Sequence, residues 1–339
     1  MRLRLALLLP CLAALVAAEP AAEPVALRVG LEWFLNPDHL PLVVALREGY
    51  FAEAGLAVEL VEPRDHWEAD DEILAGRLDV AVTEPLHLAL DAARGKAVIG
   101  FSRFLHTDGG VMYVRGRNIT RPRDMCGATI SYPGAPGPGG PAIVQTMIEA
   151  DGGGPCAEPF GNHAGGFYHT DALASGAADV ATLAFYNFEV VEARGRGLDV
   201  DFFSLKDFGV PCFCQLVLFT TPQRLEALAD PLRKLVLAMR RATGLIKQDP
   251  KRARAIWREH AAPKRTLAGR LDIRTWIKRA REARADRATF EASLPAFVND
   301  NSLALEYFEA LNAWLVKTDQ VDAAAARPVA EYWTNALAL

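Results

Sequence analysis

Residues 31–63, LEWFLNPDHLPLVVALREGYFAEAGLAVELVEP, decide the fold. They read as a strand end, a polar loop, a helix and a second strand. Leu27–Leu31 is the first strand and Val58–Glu62 the next. Between them His39–Phe51 reads as one helix carrying apolar Leu40, Val43, Val44 and Leu46, with Gly55 as its stop. The loop gathers Glu32, Trp33, Asn36, Asp38 and His39. Packing gives a strand end no reason to collect so many polar and aromatic groups, whereas loops after strands are where α/β proteins hold ligands.

The same rhythm continues outward. A short acidic helix at Trp67–Ala75 ends at Gly76, followed by a strand at Leu78–Val82, a helix at Glu84–Arg94 and a strand at Val98–Phe101. This alternation predicts a largely parallel, layered sheet. A second α/β unit starts near Gly110: strand Val111–Val114, strand Thr129–Tyr132, the turn PGAPGPGG at Pro133–Gly140, helix Ala142–Ala150, helix Asp171–Ser175 and strand Val180–Phe185. Strands at Val200–Ser204 and Phe213–Phe219 precede a helical tail. Its segments Arg224–Gln248, Pro250–His260 and Asp272–Arg284 carry basic outer faces, read as solvated. Trp314 and Trp333 are expected to pack. The plan is two lobes: 26–105, an inserted lobe at 106–205, and a return to the first lobe at 206–339. Crossovers near Ser102–Val111 and Phe203–Pro211 would form a hinge for closure around a ligand.

The N-terminus reads as a cleaved export signal over 1–18: Arg2 and Arg4, the apolar run Leu5–Val16, then small residues before Glu19. A Pro/Ala linker at 19–25 follows. The expected location is therefore periplasmic. The chain has 37 basic and 42 acidic residues, a net charge of −5. An acidic chain without a basic patch argues against a nucleic-acid partner. Past the signal, four cysteines allow three pairings in an oxidising compartment. Cys126 and Cys156 share the middle region and are the favoured bridge. Cys212 and Cys214, alternate residues of the expected strand, would then stay reduced, because an i to i+2 bridge along a strand is strained.

Candidate ligand-binding residues cluster at strand ends. Trp33 offers a stacking face, flanked by Glu32, Asn36 and His39, with Asp38 as helix N-cap. Thr83 and Glu84 end the third strand, and His87 lies a turn into the next helix, so the three share one mouth of the sheet. Thr83 is also placed to cap that helix. Gly134 and Gly137 in the Pro133–Gly140 turn permit close backbone approach to a ligand, although neither a P-loop nor GxGxxG is present. In the second lobe Tyr186, Asn187 and Glu189 mirror the first loop: an aromatic, an amide and a carboxylate, suited to a flat heterocycle carrying an amine. His66, His163 and His169 lack metal-ligand spacing, and neither metal nor cofactor is expected. No serine-nucleophile motif or triad can be argued.

Trp33, His39 and Pro41, then Gly49-Tyr50-Phe51, Gly55-Leu56, Glu62-Pro63, Asp79, His87, the PGAPG turn, Tyr186–Glu189 and Cys212-Phe213-Cys214 together carry a resemblance. Over most of residues 27–260 the chain resembles the fungal hydroxymethylpyrimidine phosphate synthases and their bacterial relatives, the periplasmic pyrimidine- and riboflavin-type binding proteins of the sulfonate-binding superfamily. The resemblance implies a two-lobed α/β fold of the type II periplasmic binding-protein kind, with mixed or parallel sheets and a helical C-terminal extension. In the fungal enzymes a lysine holding pyridoxal phosphate lies one turn before the histidine that is consumed. Those positions are Thr83 and His87 here, and threonine cannot form the Schiff base. The cysteine-rich run is reduced as well, with Val210 and Pro211 ahead of Cys212. The reading is a monomeric, non-enzymatic, exported substrate-binding component of an ABC importer, delivering a small heterocycle to an inner-membrane permease. The expected ligand is a thiamine-precursor aminopyrimidine. A pyrimidine-synthase-type enzyme, or a binding or sensor module for a sulfonate, flavin or other anion, remains the alternative.

Overall fold

The computed structural model describes residues 23–338, apart from 64–68, 133–134, 136, 165–167 and 262–285. The export signal, Gly134 and the expected helix Asp272–Arg284 lie outside the described residues.

Two five-stranded sheets organise the chain. The first contains β1 (Val25–Gly30), β2 (Leu56–Val61), β3 (Val80–Thr83) and β4 (Ile99–His106), joined by β10 (Gln215–Thr220), in the order β2-β1-β3-β10-β4. The second contains β5 (Gly109–Val114), β6 (Thr129–Ser131), β7 (Gly161–His163), β8 (Val180–Phe185) and β9 (Val200–Ser204), in the order β7-β6-β8-β5-β9. β1 pairs in parallel with β2 from Val25↔Leu56 to Gly30↔Val61 and with β3. β10, arriving from the other sheet, runs antiparallel to β3 and β4. Both sheets are thus mixed, more so than the repeated strand–helix rhythm implies, because the strand that follows each crossover, β5 in the second sheet and β10 in the first, runs antiparallel to its neighbours.

The first crossover is short, Thr107 and Asp108 between β4 and β5. The second runs through 205–214. The start of β5 lies against the second crossover at Gly109, where a Cβ would sit 1.8 Å from the Cys214 Sγ, and against β9 at Gly110, where it would meet the Phe203 carbonyl at 2.0 Å. Only glycine allows these segments to approach so closely.

Several local readings change. The His39–Phe51 helix is two, Leu40–Arg47 and Tyr50–Glu53, because Gly49 adopts φ +76°. β7 has three residues and too little pattern to be read. Cys212 and Cys214 precede β10 rather than alternating along it; Cys214 is buried and Cys212 partly so. Cys126 and Cys156 form a disulfide with Cα atoms 5.4 Å apart. Trp314 and Trp333 are buried.

The tail does more than complete the first sheet's layer. Trp333 bridges to Gly100 and Phe297 to Leu105, both on β4. Trp314, in helix Leu305–Lys317, reaches the other lobe, its Nε1–H donating to Thr146 Oγ1 at 3.2 Å within helix Gly139–Ala150.

Candidate functional site

The loops leaving β1, β3 and β8 meet at one cleft. After β1, Asn36 rather than Asp38 caps the turn Pro37–His39: its side chain accepts from the Asp38 N–H at 2.9 Å. Pro37 opens the turn without needing a donor. The His39 ring closes the cap by accepting the Asn36 N–H at its Nδ1, 3.2 Å away, and its Nε2 contacts the Glu32 carboxylate at 3.0 Å. His39 is fully buried. Burial opposes its charge, but the Glu32 carboxylate, with further help from Asp38, outweighs this and raises its pKa. His39 therefore fixes Glu32 and the loop.

Freed from capping, Asp38 points inward, where Asn187 donates to its Oδ1 and Ser293 donates to the same oxygen at 2.9 Å. Asn187 also donates to Ser293 at 2.7 Å. This buried knot ties the β1 loop, the β8 loop and the C-terminal segment together. Burial raises the Asp38 pKa to about 6, against the opposing hydrogen bond from Ser293.

β8 ends in a π-type turn, Tyr186–Val190. Glu189 accepts the Phe185 N–H at 2.8 Å, and burial lifts its pKa well above the carboxylate range. Tyr186 turns outward, 40 % exposed, against Phe202 and Arg194. Asn187 is spent on the knot. The second-lobe box expected from Tyr186, Asn187 and Glu189 therefore does not converge on one pocket, because the wide turn sends successive side chains in different directions.

The cleft has a volume of about 230 Å³, and its lining includes Glu32, Trp33, Thr83, Glu84, His87 and Gly137. A smaller hollow of about 20 Å³ extends behind Trp33, bounded by Glu32, Asn36, Asp38, Glu84 and Glu189. Glu84 occupies the N-cap position of helix Pro85–Ala93 without capping it; instead its carboxylate lies 2.8 Å from His87 Nδ1. Four carboxylates line the cleft, each beside a basic group: Glu32 against His39 and Glu84 against His87, Asp70 and Asp91 against the Lys96 ammonium at 2.9 and 3.5 Å, and Asp91 also 3.4 Å from Arg94 Nη1.

Four cleft features carry no sequence signal. Leu183 lines both spaces with φ +59°, a conformation unusual for a side chain with a Cβ and one that recurs at functional sites. The Tyr132 hydroxyl accepts the Gly137 N–H at 2.7 Å and thereby shapes the glycine-rich turn. His169 stacks on Trp33 across the lobes, ring centroids 5.8 Å apart, and Tyr168 stacks on Phe34 at 6.3 Å. Burial lowers the His169 pKa to about 4, and its Nδ1 lies 3.2 Å from Ser131 Oγ. Gln320 joins the wall from the tail.

The NMT1/THI5-like family description matches residues 36–253. The chain belongs to the NMT1/THI5-like family. It is 29% identical over 205 residues to the formylaminopyrimidine-binding protein of Halalkalibacterium halodurans, covering 60% of this chain and 61% of that protein. The alignment thus spans about three fifths of that relative. It is 28% identical over 231 residues to the 4-amino-5-hydroxymethyl-2-methylpyrimidine phosphate synthase of Aspergillus parasiticus, covering 65% and 66%. In three dimensions it is similar to the alkanesulfonate-binding protein SsuA of Xanthomonas axonopodis pv. citri, bound to MOPS, with a TM-score of 0.67 at 13% identity over 92% of this chain and 99% of that one. This NMT1/THI5-like chain has the periplasmic binding-protein fold. The activities named for these two relatives, binding a formylaminopyrimidine and making a pyrimidine phosphate, differ in what they require of the cleft. Thr83, at the end of β3, is where the resemblance puts the cofactor lysine, and no lysine lines the cleft among the described residues. The residues present do not fit Schiff-base attachment of pyridoxal phosphate.

Proposed function

We propose that the protein is a solute-binding protein that captures an aminopyrimidine between its lobes, as the exported component of an ABC importer. The carboxylate-rich cleft carries this reading. Glu32 and Glu84 face the space beside the Trp33 ring, and carboxylates accept hydrogen bonds from amino groups and ring N–H while repelling sulfonate or nitrate. A volume of about 230 Å³ lies below the roughly 300–1,000 Å³ of drug-sized pockets, which favours one ring over a flavin. Trp33 supplies the stacking face, and His87 with Thr83 the polar end. Thr83 at the position of the cofactor lysine and the binding-protein relative both support capture rather than synthesis.

Thermal-shift assays of the mature chain test the proposal. Formylaminopyrimidine or 4-amino-5-hydroxymethyl-2-methylpyrimidine should raise the melting temperature, and Glu84→Gln and Trp33→Ala should each remove most of the rise. A shift with alkanesulfonates and none with pyrimidines refutes the ligand assignment. Pyrimidine product formed by the purified protein refutes the binding-only role.

A further inference from the structure

The family match ends at residue 253, yet the cleft has a wall beyond it. Gln320 follows helix Leu305–Lys317 and lines the cleft beside the turn at Gly137 and Gly139. Its amide is oriented from behind. Nε2 donates to Thr318 Oγ1 at 2.8 Å, and the Thr318 hydroxyl donates to the Trp314 carbonyl at 2.9 Å. Trp314 is anchored in turn to Thr146 across the lobes. With the nitrogen committed, Oε1 is left buried with no hydrogen-bond partner among the described residues. It lies 3.7 Å from the place a Cβ would take on Gly139. A buried acceptor without a donor is unfavourable unless something supplies one.

We propose that Gln320 is a ligand-contacting, specificity-determining residue: its Oε1 accepts an N–H or O–H from the bound solute. The C-terminal segment then forms a third wall of the site, through a residue beyond the stretch that the family description matches. This inference rests on reading the cleft as the solute site.

Titration calorimetry of the full mature chain tests it, with formylaminopyrimidine and 4-amino-5-hydroxymethyl-2-methylpyrimidine as probes. Gln320→Ala should weaken the tighter probe about three- to tenfold, the range for one neutral hydrogen bond, and leave the unliganded melting temperature unchanged. Gln320→Glu keeps an acceptor and should retain most of the affinity. Wild-type affinity in Gln320→Ala, or an equal loss in both variants, overturns the role of Gln320 while the cleft reading stands. If the wild-type protein binds neither probe, the cleft reading fails and this inference with it.

Discussion

Replacing Asn187 by alanine cuts the buried knot at its centre. Two donations disappear, to Asp38 Oδ1 and to Ser293 Oγ. The bond to a carboxylate is worth ~1.5–3 kcal/mol and the bond to a hydroxyl ~0.5–1.5 kcal/mol, so the variant should lose about 2–4 kcal/mol. The loss should depend on pH. Burial raises the Asp38 pKa to about 6, above the ~3.9 of an unfolded chain. The native state therefore holds a proton that the unfolded chain has released between roughly pH 4 and 6, and this group's contribution to stability falls as pH rises through that window. Removing a donor raises the pKa further and deepens the fall. At pH 8 the carboxylate is ionised and the charged bond counts in full; at pH 5 it is protonated and the bond is an ordinary one. Urea denaturation at both values should give the larger cost at pH 8, by about 1 kcal/mol or more. A cost below ~0.5 kcal/mol at pH 8, or equal costs at the two values, would refute the reasoning.

The Cys126–Cys156 bridge joins residues 30 apart, for which loop-closure entropy gives about 3–4 kcal/mol. The Cys126→Ser/Cys156→Ser protein should lose a comparable amount in urea, and a loss under ~1 kcal/mol contradicts that account. His169 has its pKa lowered to about 4 by burial, so the unfolded chain takes up its proton first. Its contribution is present at neutral pH and is lost as pH falls from ~6.5 towards 4, by up to ~3 kcal/mol. His169→Phe should flatten the acid limb of melting temperature against pH; an unchanged limb sinks the assignment.

Much of the architecture was legible because strands and helices announce themselves by apolar period and glycine stops. Gly55 and Gly76 both take positive φ where the sequence marks an end. The Trp33 loop and the Thr83–His87 mouth were legible for the same reason, since a strand end fixes where the next few side chains go. In the second lobe the strand end before Tyr186 is legible but the direction of the side chains after it is not, because a π-type turn has no sequence signature separating it from an ordinary helix start. Asp38 is not the cap because Asn36, two residues earlier, competes for that place, and only the Pro37 turn geometry decides between them. His169, Ser293 and Gln320 reach the knot or the cleft from segments far away in the chain. No local pattern encodes such contacts; they exist only once both sheets and the tail have packed.

The wide turn at Tyr186–Val190 has a consequence for what holds the cleft walls together. It accommodates one more residue per turn than an α-helix, between a buried strand and the helix Val191–Gly195. A single-residue deletion there would tighten the turn and swing Asn187 away from Asp38 and Ser293, so the wide turn is what lets the end of β8 reach the knot. The length of this turn, and not only the identity of its residues, therefore sets whether the first loop, the second loop and the C-terminal segment stay joined.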